Sequence, residues 1–296
     1  MTSSEAAAAI ARGLTWARLA TDGLWSISAV RPLPGGITGF VTALDMRDAK
    51  GRRLRVVLKL YRPDRSEPDS ARREANILHR LAATNLPVPR VVAIDQDGGD
   101  AGWPALLMTR MPGRRRMRPR ELGPPLHELA ELARRIHSLA LPHDALPRYR
   151  PWGLDDPLPV PGWWTDPRIW RRAVEIFHGP APDERPVFIH RDFHPGNVLW
   201  TGAKPSAIVD WLHGCLGPAS VDIAHCRINL WLDIGPQAAD GVLNAYRAIR
   251  VESPPHNPYW DIADAMSWRI DPVRHGVVRA RRYESFVAAA VAALRE

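Results

Sequence analysis

The sequence predicts an α+β protein in two lobes, strand-rich over residues 1–110 and larger and helical over residues 111–296. Three observations lead there. Short apolar, β-branched runs separated by Gly- and Asp-bearing turns fill residues 24–108. Beyond residue 124 the apolar residues recur at helical spacing instead. Between the two patterns, Met111-Pro112-Gly113 reads as a hinge. A chain of 296 residues can bury a sizeable core in either one large domain or two lobes.

Each element has its own warrant. Ile37 to Leu44 and Leu54 to Leu60 read as strands joined by a charged turn through Asp48 and Gly51. Ser70 to Leu81 is expected to be helical, with Ala71, Ala75, Leu78 and Leu81 on one side and Ser70 as the N-cap. Val91–Ile94 and Ala105–Thr109 are short strands flanking a turn at Gly98-Gly99. Leu126, Leu129, Ala133, Ile136 and Leu139-Ala140 form a helical stripe opened by Pro124-Pro125 and closed near Pro142. Residues 141–187 are rich in Pro and Trp and show no regular period. Val198-Leu199-Trp200 and Ala207-Ile208-Val209 read as strands around a turn at residues 201–205. The tail is largely helical and ends in Tyr283 to Leu294.

Composition excludes several classes. A chain 45% hydrophobic and 24% charged is ordinary for a soluble globular protein. Cys215 and Cys226 are too few for a disulfide framework and suit a reducing compartment. Glu5 precedes an Ala-rich run broken by Arg12, which lacks the basic-then-apolar order of a signal peptide. Phe286 to Leu294 falls far short of the roughly 20 residues that span a bilayer. A cytoplasmic protein with no membrane partner is therefore expected. The net charge of +8 lies in residues 1–210, mixed with acids, so no nucleic-acid partner is expected. The exception is Arg114-Arg115-Arg116-Met117-Arg118-Pro119-Arg120, read as a solvated loop; steering an anionic nucleotide or an acidic partner is its functional alternative.

The chemistry gathers in His190-Arg191-Asp192-Phe193-His194-Pro195-Gly196-Asn197. Asp and Asn there have the spacing of a kinase catalytic loop, H-R-D-x-x-x-x-N. Asp210 follows thirteen residues after Asn197. A hairpin centred between residues 203 and 204 would set Asn197 and Asp210 opposite one another, about 4.5–5.5 Å apart at Cβ. Two oxygen side chains at that separation could grip Mg²⁺, a hard cation commonly shared between one or two protein groups and substrate phosphates. The His-x-Asp-x-His alternation suggests a transition-metal strand instead, but Pro195-Gly196 breaks it at once. Lys59, inside Val56-Val57-Leu58-Lys59-Leu60, is a charge in a buried-looking strand and needs an anion.

From about Leu33 to Ala224, and most specifically from Phe188 to Ala224, the chain resembles the aminoglycoside phosphotransferase family. That resemblance implies a bilobal protein-kinase-like fold: an N-terminal antiparallel sheet lobe with one helix binds nucleotide, and a larger helical lobe carries the catalytic loop and acceptor site. It implies Mg²⁺-dependent transfer of the γ-phosphoryl of ATP or GTP to a hydroxyl of a small molecule, with aminoglycosides and other antibiotics among the acceptors. Asp192 would be the catalytic base, and Asn197 and Asp210 would hold the metal. Lys59 would meet the α/β phosphates and pair with Glu74. Gly35, Gly36 and Thr38, within Pro34 to Gly39, would cover the phosphates, and Thr109 to Gly113 would read the base. His190 would be structural and Asp222 would brace the loop.

Three departures stand out. Arg191 occupies a position that is commonly Gly in these small-molecule kinases, Leu212-His213 replaces a common acidic residue, and Gly217-Pro218-Ala219 lacks a frequent Asp. Polycationic aminoglycosides call for clustered carboxylates, for which Asp233, Asp261 and Asp264 are available. Trp163-Trp164, Trp231, Trp260 and Trp268 are expected in the core rather than lining an acceptor pocket. Two alternatives remain: a catalytically silent nucleotide- or metabolite-binding regulator, and a protein kinase. The second is disfavoured because no A-P-E segment follows Asp210 and Asp222 comes only twelve positions later. The sequence leaves acceptor, nucleotide preference and oligomeric state open.

Overall fold

A computed structural model describes residues 3–34, 38–115, 122–142, 146–249, 256–268 and 270–294. Gly35, Gly36 and residues 116–120 of the basic run lie outside the described residues. The chain divides into two compact units, Met1–Pro112 with Ala207–His213, and Gly113–Ser206 with Gly214–Glu296. The short return of residues 207–213 to the first unit, which a single boundary near residue 110 does not anticipate, carries Asp210 with it.

The first unit opens with helix α1 (Ser3–Leu19), formed by the Ala-rich run, with Glu5 and Arg18 placed favourably for its dipole. Strands β1 (Trp25–Leu33), β2 (Gly39–Asp48) and β3 (Arg53–Tyr61) follow. Helix α2 (Ser70–Leu81) precedes β4 (Val91–Asp95) and β5 (Ala105–Thr109). The strands form one antiparallel sheet in the order β1-β2-β3-β5-β4. The β2–β3 turn is closed by Asp48, whose Oδ1 accepts from the N–H groups of Lys50 (3.0 Å) and Arg52 (2.8 Å). Gly39 is sterically required: a Cβ there would lie 2.3 Å from the carbonyl oxygen of Leu60.

Strand periodicity sorts β3 into two faces. Val56, Leu58 and Leu60 join Trp16 and Ala17 of α1 in the core. Lys59 and Tyr61, one residue out of phase, take the other face and meet Glu74 of α2. Helix α2 buries Ala71, Ala75, Leu78 and Leu81. Its N-cap is Asp69 rather than Ser70, and no side-chain hydrogen bond closes that end.

The second unit begins with β6 (Arg114–Arg115), the first two residues of the basic run, followed by α3 (Gly123–His137) and α4 (Pro167–His178). Strand β7 (Val187–Ile189) leads through the loop at 190–194 into a single 3₁₀ turn, Pro195–Asn197. Then come β8 (Val198–Thr201), β9 (Lys204–Ile208) and β10 (Cys215–Gly217). Helices α5 (Ala219–Asp233), α6 (Pro236–Ile249), α7 (Pro258–Met266), α8 (Pro272–His275) and α9 (Val277–Ala293) complete it. Helix α5 is buried along all but its last residue and packs against α6, α7 and α9. Trp164 packs edge-to-face against Trp170 and Tyr283, and Trp231 against Phe286, and Trp164 and Trp231 are buried, so these rings are core. No helix among the described residues is long and apolar enough to cross a membrane.

The β8–β9 hairpin corrects one expectation. Its turn is shorter than residues 201–205, and β9 ends at Ile208. Asn197, in the 3₁₀ turn, and Asp210, two residues past β9, both lie outside the ladder, so strand pairing does not align them.

Candidate active site

In the first unit, three polar side chains, those of Glu74, Asp210 and Tyr61, gather round one buried cation, Lys59. The Lys59 ammonium donates to Glu74 Oε2 (2.7 Å) and to Asp210 Oδ1 (2.7 Å). Glu74 is almost fully buried; its Oε2 also accepts from the Tyr61 hydroxyl (2.6 Å), and its Oε1 from the Trp211 N–H (3.2 Å). Burial alone would lower the lysine pKa. The charges of Asp210 and Glu74 outweigh it and hold the ammonium well above the ordinary lysine range. The anion expected for Lys59 is thus present twice, and its pairing with Asp210 is the half that sequence reasoning missed. Asp210 has φ 68°, a left-handed turn that Asp tolerates better than most residues, and its side chain is 33% exposed.

In the second unit, the loop after β7 is held from beneath. Asp222 of α5 accepts from the backbone N–H of His190 (2.8 Å) and of Arg191 (2.6 Å). Its Oδ2 also contacts His137 Nε2 (3.0 Å), whose Nδ1 faces the Tyr246 hydroxyl (2.6 Å). His190 is fully buried and accepts, through Nδ1, the N–H of Asp192 (3.2 Å). Arg191 has φ 67°, in the left-handed region that favours Gly: an L side chain there costs about 1–2 kcal/mol. The guanidinium recovers part of that cost by lying over Trp152 (4.1 Å) and Tyr149 (5.2 Å) and donating to the carbonyl of Arg150.

Both oxygens of Asp192 are engaged. Asn197 Nδ2 donates to Oδ2 (2.8 Å) and to the Asp192 carbonyl (3.0 Å). His225 Nε2 lies 3.0 Å from Oδ1, and His225 Nδ1 lies 3.1 Å from Asp264 Oδ1. Burial would raise the Asp192 pKa; the hydrogen bond and charge of His225, helped by His194 and His190, reverse that and hold it well below the carboxylate range. Burial would lower the His225 pKa, but Asp264 and Asp192 push it up to about 10. Sequence reasoning missed His225, His137, Tyr246 and Tyr61. The available signal was the spacing of Asp222 and His225, three apart and so on one face of α5.

Each candidate metal ligand, taken by itself, offers an oxygen donor of the kind a hard cation takes. Asn197 spends its amide nitrogen on Asp192, which leaves the amide oxygen for a cation. Asp210 offers a partly exposed carboxylate. A transition-metal site fits less well. Ligating atoms of Asp192, His194 and His225 come within 4.8 Å of one another. His194 Nδ1, however, accepts the Gly196 N–H (3.2 Å), so neutral His194 carries its proton on Nε2 and has no lone pair for a metal. Of the other predicted residues, Thr38 is half-buried and its carbonyl accepts from the Arg62 N–H (2.9 Å).

The model of the phosphotransferase enzyme family matches residues 30–259. Homoserine kinases of Methylocella silvestris and Rhodopseudomonas palustris are each 29% identical, over 59% and 60% of this chain. The chain spans 57% and 59% of the length of these relatives. Among solved structures, aminoglycoside phosphotransferase APH(4)-Ia in a ternary complex with ADP and hygromycin B superposes with a TM-score of 0.66. That match has 16% identity and covers 95% of this chain and 98% of that one. The GDP complex of aminoglycoside 2′-phosphotransferase-IIIa gives 0.60 at 15% identity, over 89% and 94%. These likenesses establish the protein-kinase-like α+β fold.

Proposed function

Because this chain belongs to the phosphotransferase enzyme family, we propose that it transfers the γ-phosphoryl of a nucleoside triphosphate to a hydroxyl of a small molecule, with Mg²⁺ as cofactor. The observation that carries this reading is Asp192, a carboxylate pinned at both oxygens on a loop whose backbone is tied to α5. Asp192 orients the acceptor hydroxyl. Its lowered pKa makes it a weak base, which suits a loose transition state that demands little deprotonation of the nucleophile. Lys59 holds phosphate oxygens, and Glu74 positions Lys59. Mg²⁺ held by Asn197 and Asp210 would neutralise charge on the phosphates. A cytoplasmic location, where nucleotide is supplied and Cys215 and Cys226 stay reduced, goes with this role.

The acceptor we infer is an uncharged or zwitterionic alcohol rather than a polycationic antibiotic. The three carboxylates available for a polycation are already paired with cations of the chain itself. Asp233 pairs with Arg279, Asp261 with Arg227 (3.2 Å) and His256 (3.0 Å), and Asp264 with His225. The homoserine kinase relatives, named for a hydroxylated amino acid, support the same choice. A transfer screen over hydroxyl-bearing amino acids, amino alcohols, sugars and aminoglycosides, with ATP and with GTP, tests this. Turnover should appear on the hydroxyl-bearing amino acids or the sugars and not on the aminoglycosides, and should fall about 10²–10⁴-fold in Asp192→Ala, with nucleotide binding retained. An equally active Asp192→Ala enzyme removes the role of Asp192. Nucleotide binding without turnover on any acceptor supports the regulator instead.

A further inference from the structure

The His225 ring is the least explained group in the second unit. It sits on α5, its two nitrogens facing carboxylates from two other elements: Asp192 on the loop after β7 (3.0 Å) and Asp264 on α7 (3.1 Å). Each contact is favourable only if the ring nitrogen carries a proton, so both nitrogens are donors and the ring is an imidazolium. Asp264 is held in turn, its Oδ2 accepting from Trp268 Nε1 (3.2 Å), and the Trp268 ring lies 5.7 Å from that of His225. One turn earlier on the same helix, Asp222 holds the loop backbone at residues 190 and 191. Helix α5 therefore reaches the catalytic loop twice, at its backbone and at its carboxylate.

A buried histidine paired with one acid is common packing. Three features set this one apart. His225 is almost wholly buried, whereas the Asp192 side chain that it meets is 26% exposed, so the ring reaches from the core to a partly exposed carboxylate. The Asp192 oxygens divide between two donors, Oδ1 to His225 and Oδ2 to Asn197, which fixes the carboxylate plane as well as its position. Finally, the charges alternate along Asp264, His225 and Asp192, so the imidazolium is compensated from both sides and does not neutralise Asp192 alone.

We propose that His225 and Asp264 are positioning residues for phosphoryl transfer, the His225 ring bridging the two carboxylates so that Asp192 is locked, ionised, in the orientation that receives the acceptor hydroxyl. This rests on the phosphotransferase reading above. Loss of the bridge leaves the Asp192 side chain held by Asn197 at Oδ2 and, at Oδ1, only by the more distant His194 Nε2 (3.8 Å), so the carboxylate can rotate. A carboxylate misplaced by about 1 Å costs on the order of 10²-fold in turnover. Nucleotide binding is not touched by that loss, so the defect falls on kcat.

Two readouts test the bridge, the first of them independent of activity. In protein labelled with ¹⁵N-histidine, His225 should show two protected, downfield ring N–H protons at about pH 8, where an ordinary histidine is neutral. Asp264→Asn and Asp192→Asn should each reduce that signature to a single ring proton. A neutral His225 in the wild-type protein overturns the proposal without any enzyme assay. In the second readout, Mg²⁺-dependent ATP hydrolysis is the probe. His225→Gln should lower kcat about 10–100-fold with the KM for ATP within about twofold, and Asp264→Asn should shift kcat the same way, less far. Wild-type kcat in a folded His225→Gln protein overturns the proposal. So does a loss that follows only the melting temperature and disappears once rates are normalised to folded enzyme, since that marks a packing role. Hydrolysis that survives undiminished in Asp192→Asn overturns the phosphotransferase reading, while the ring protons still decide whether the bridge exists.

Discussion

The two units solve the same electrostatic problem with different cations. In the first, Lys59 lies between Glu74 and Asp210; in the second, His225 lies between Asp264 and Asp192. Each cation joins one nearly buried carboxylate to one that is about a quarter to a third exposed. The buried member sets the geometry, and in the function proposed above the exposed member is the one that meets substrate or metal. The difference lies in how the charge is kept. Lysine is cationic at any physiological pH, so the first bridge is permanent. Histidine is cationic only because both neighbours are ionised, so the second bridge is conditional.

Removing the permanent cation should have the largest effect. Lys59→Met leaves Glu74 buried without its counter-charge, which costs about 3–5 kcal/mol. Chemical denaturation should show a lowered midpoint alongside lost turnover. Asp210→Ala sharpens the point, because Lys59 keeps Glu74. Stability should then change little while Mg²⁺-dependent nucleotide affinity falls, a pair of results read by denaturation and by titration with and without Mg²⁺. Unchanged affinity with Mg²⁺ would move the metal elsewhere.

The conditional bridge should respond to pH. Its folded-state pKa is raised from 6.5 to about 10, against burial and by the charge of Asp264 and the hydrogen bond to Asp192. The stability that it contributes is therefore complete below about pH 6.5 and is lost as pH rises through about 10. In denaturation series across that window, wild-type protein should lose stability that His225→Gln has already lost, so the two curves converge at high pH. Parallel curves would show that His225 carries no bridging charge.

The smallest effect is expected at Arg191. Arg191→Gly removes a left-handed strain of about 1–2 kcal/mol but gives up the stack on Trp152 and Tyr149 and adds unfolded-state entropy. The net change in unfolding free energy should stay within about 1 kcal/mol, with turnover altered less than in His225→Gln. A large loss would mean that the Arg191 stack, and not Asp222, holds the loop.

Legibility differed between the two bridges for a physical reason. Lys59 stood out because a charge inside Val-Val-Leu-Lys-Leu is anomalous, and α2 offered Glu74 one face away. His225 raised no such alarm, since a histidine among Ala224, Cys226 and Ile228 on a buried helix reads as packing. Asp264 was weighed as a lure for a polycation, and only its contact with His225 reveals its engagement. The Asn197–Asp210 argument used hairpin pairing, but β9 ends at Ile208 and Asp210 enters a left-handed turn, a break that strand propensity does not report.

From the chain itself came the strands, the helical stripe from Leu126 to Ile136 (though not its extension to Leu139-Ala140, which lie past the end of α3), the loop 190–197 with its carboxylate and amide, and the family pattern. These are properties of local spacing and of residue type, which survive without knowledge of any partner. The folded structure alone decided which distant charges meet: Lys59 with Asp210, His225 with Asp192 and Asp264, and Asp222 with the amides of the loop. Coulomb and hydrogen-bond energies act over a few ångströms in space, and separation along the chain carries no record of them.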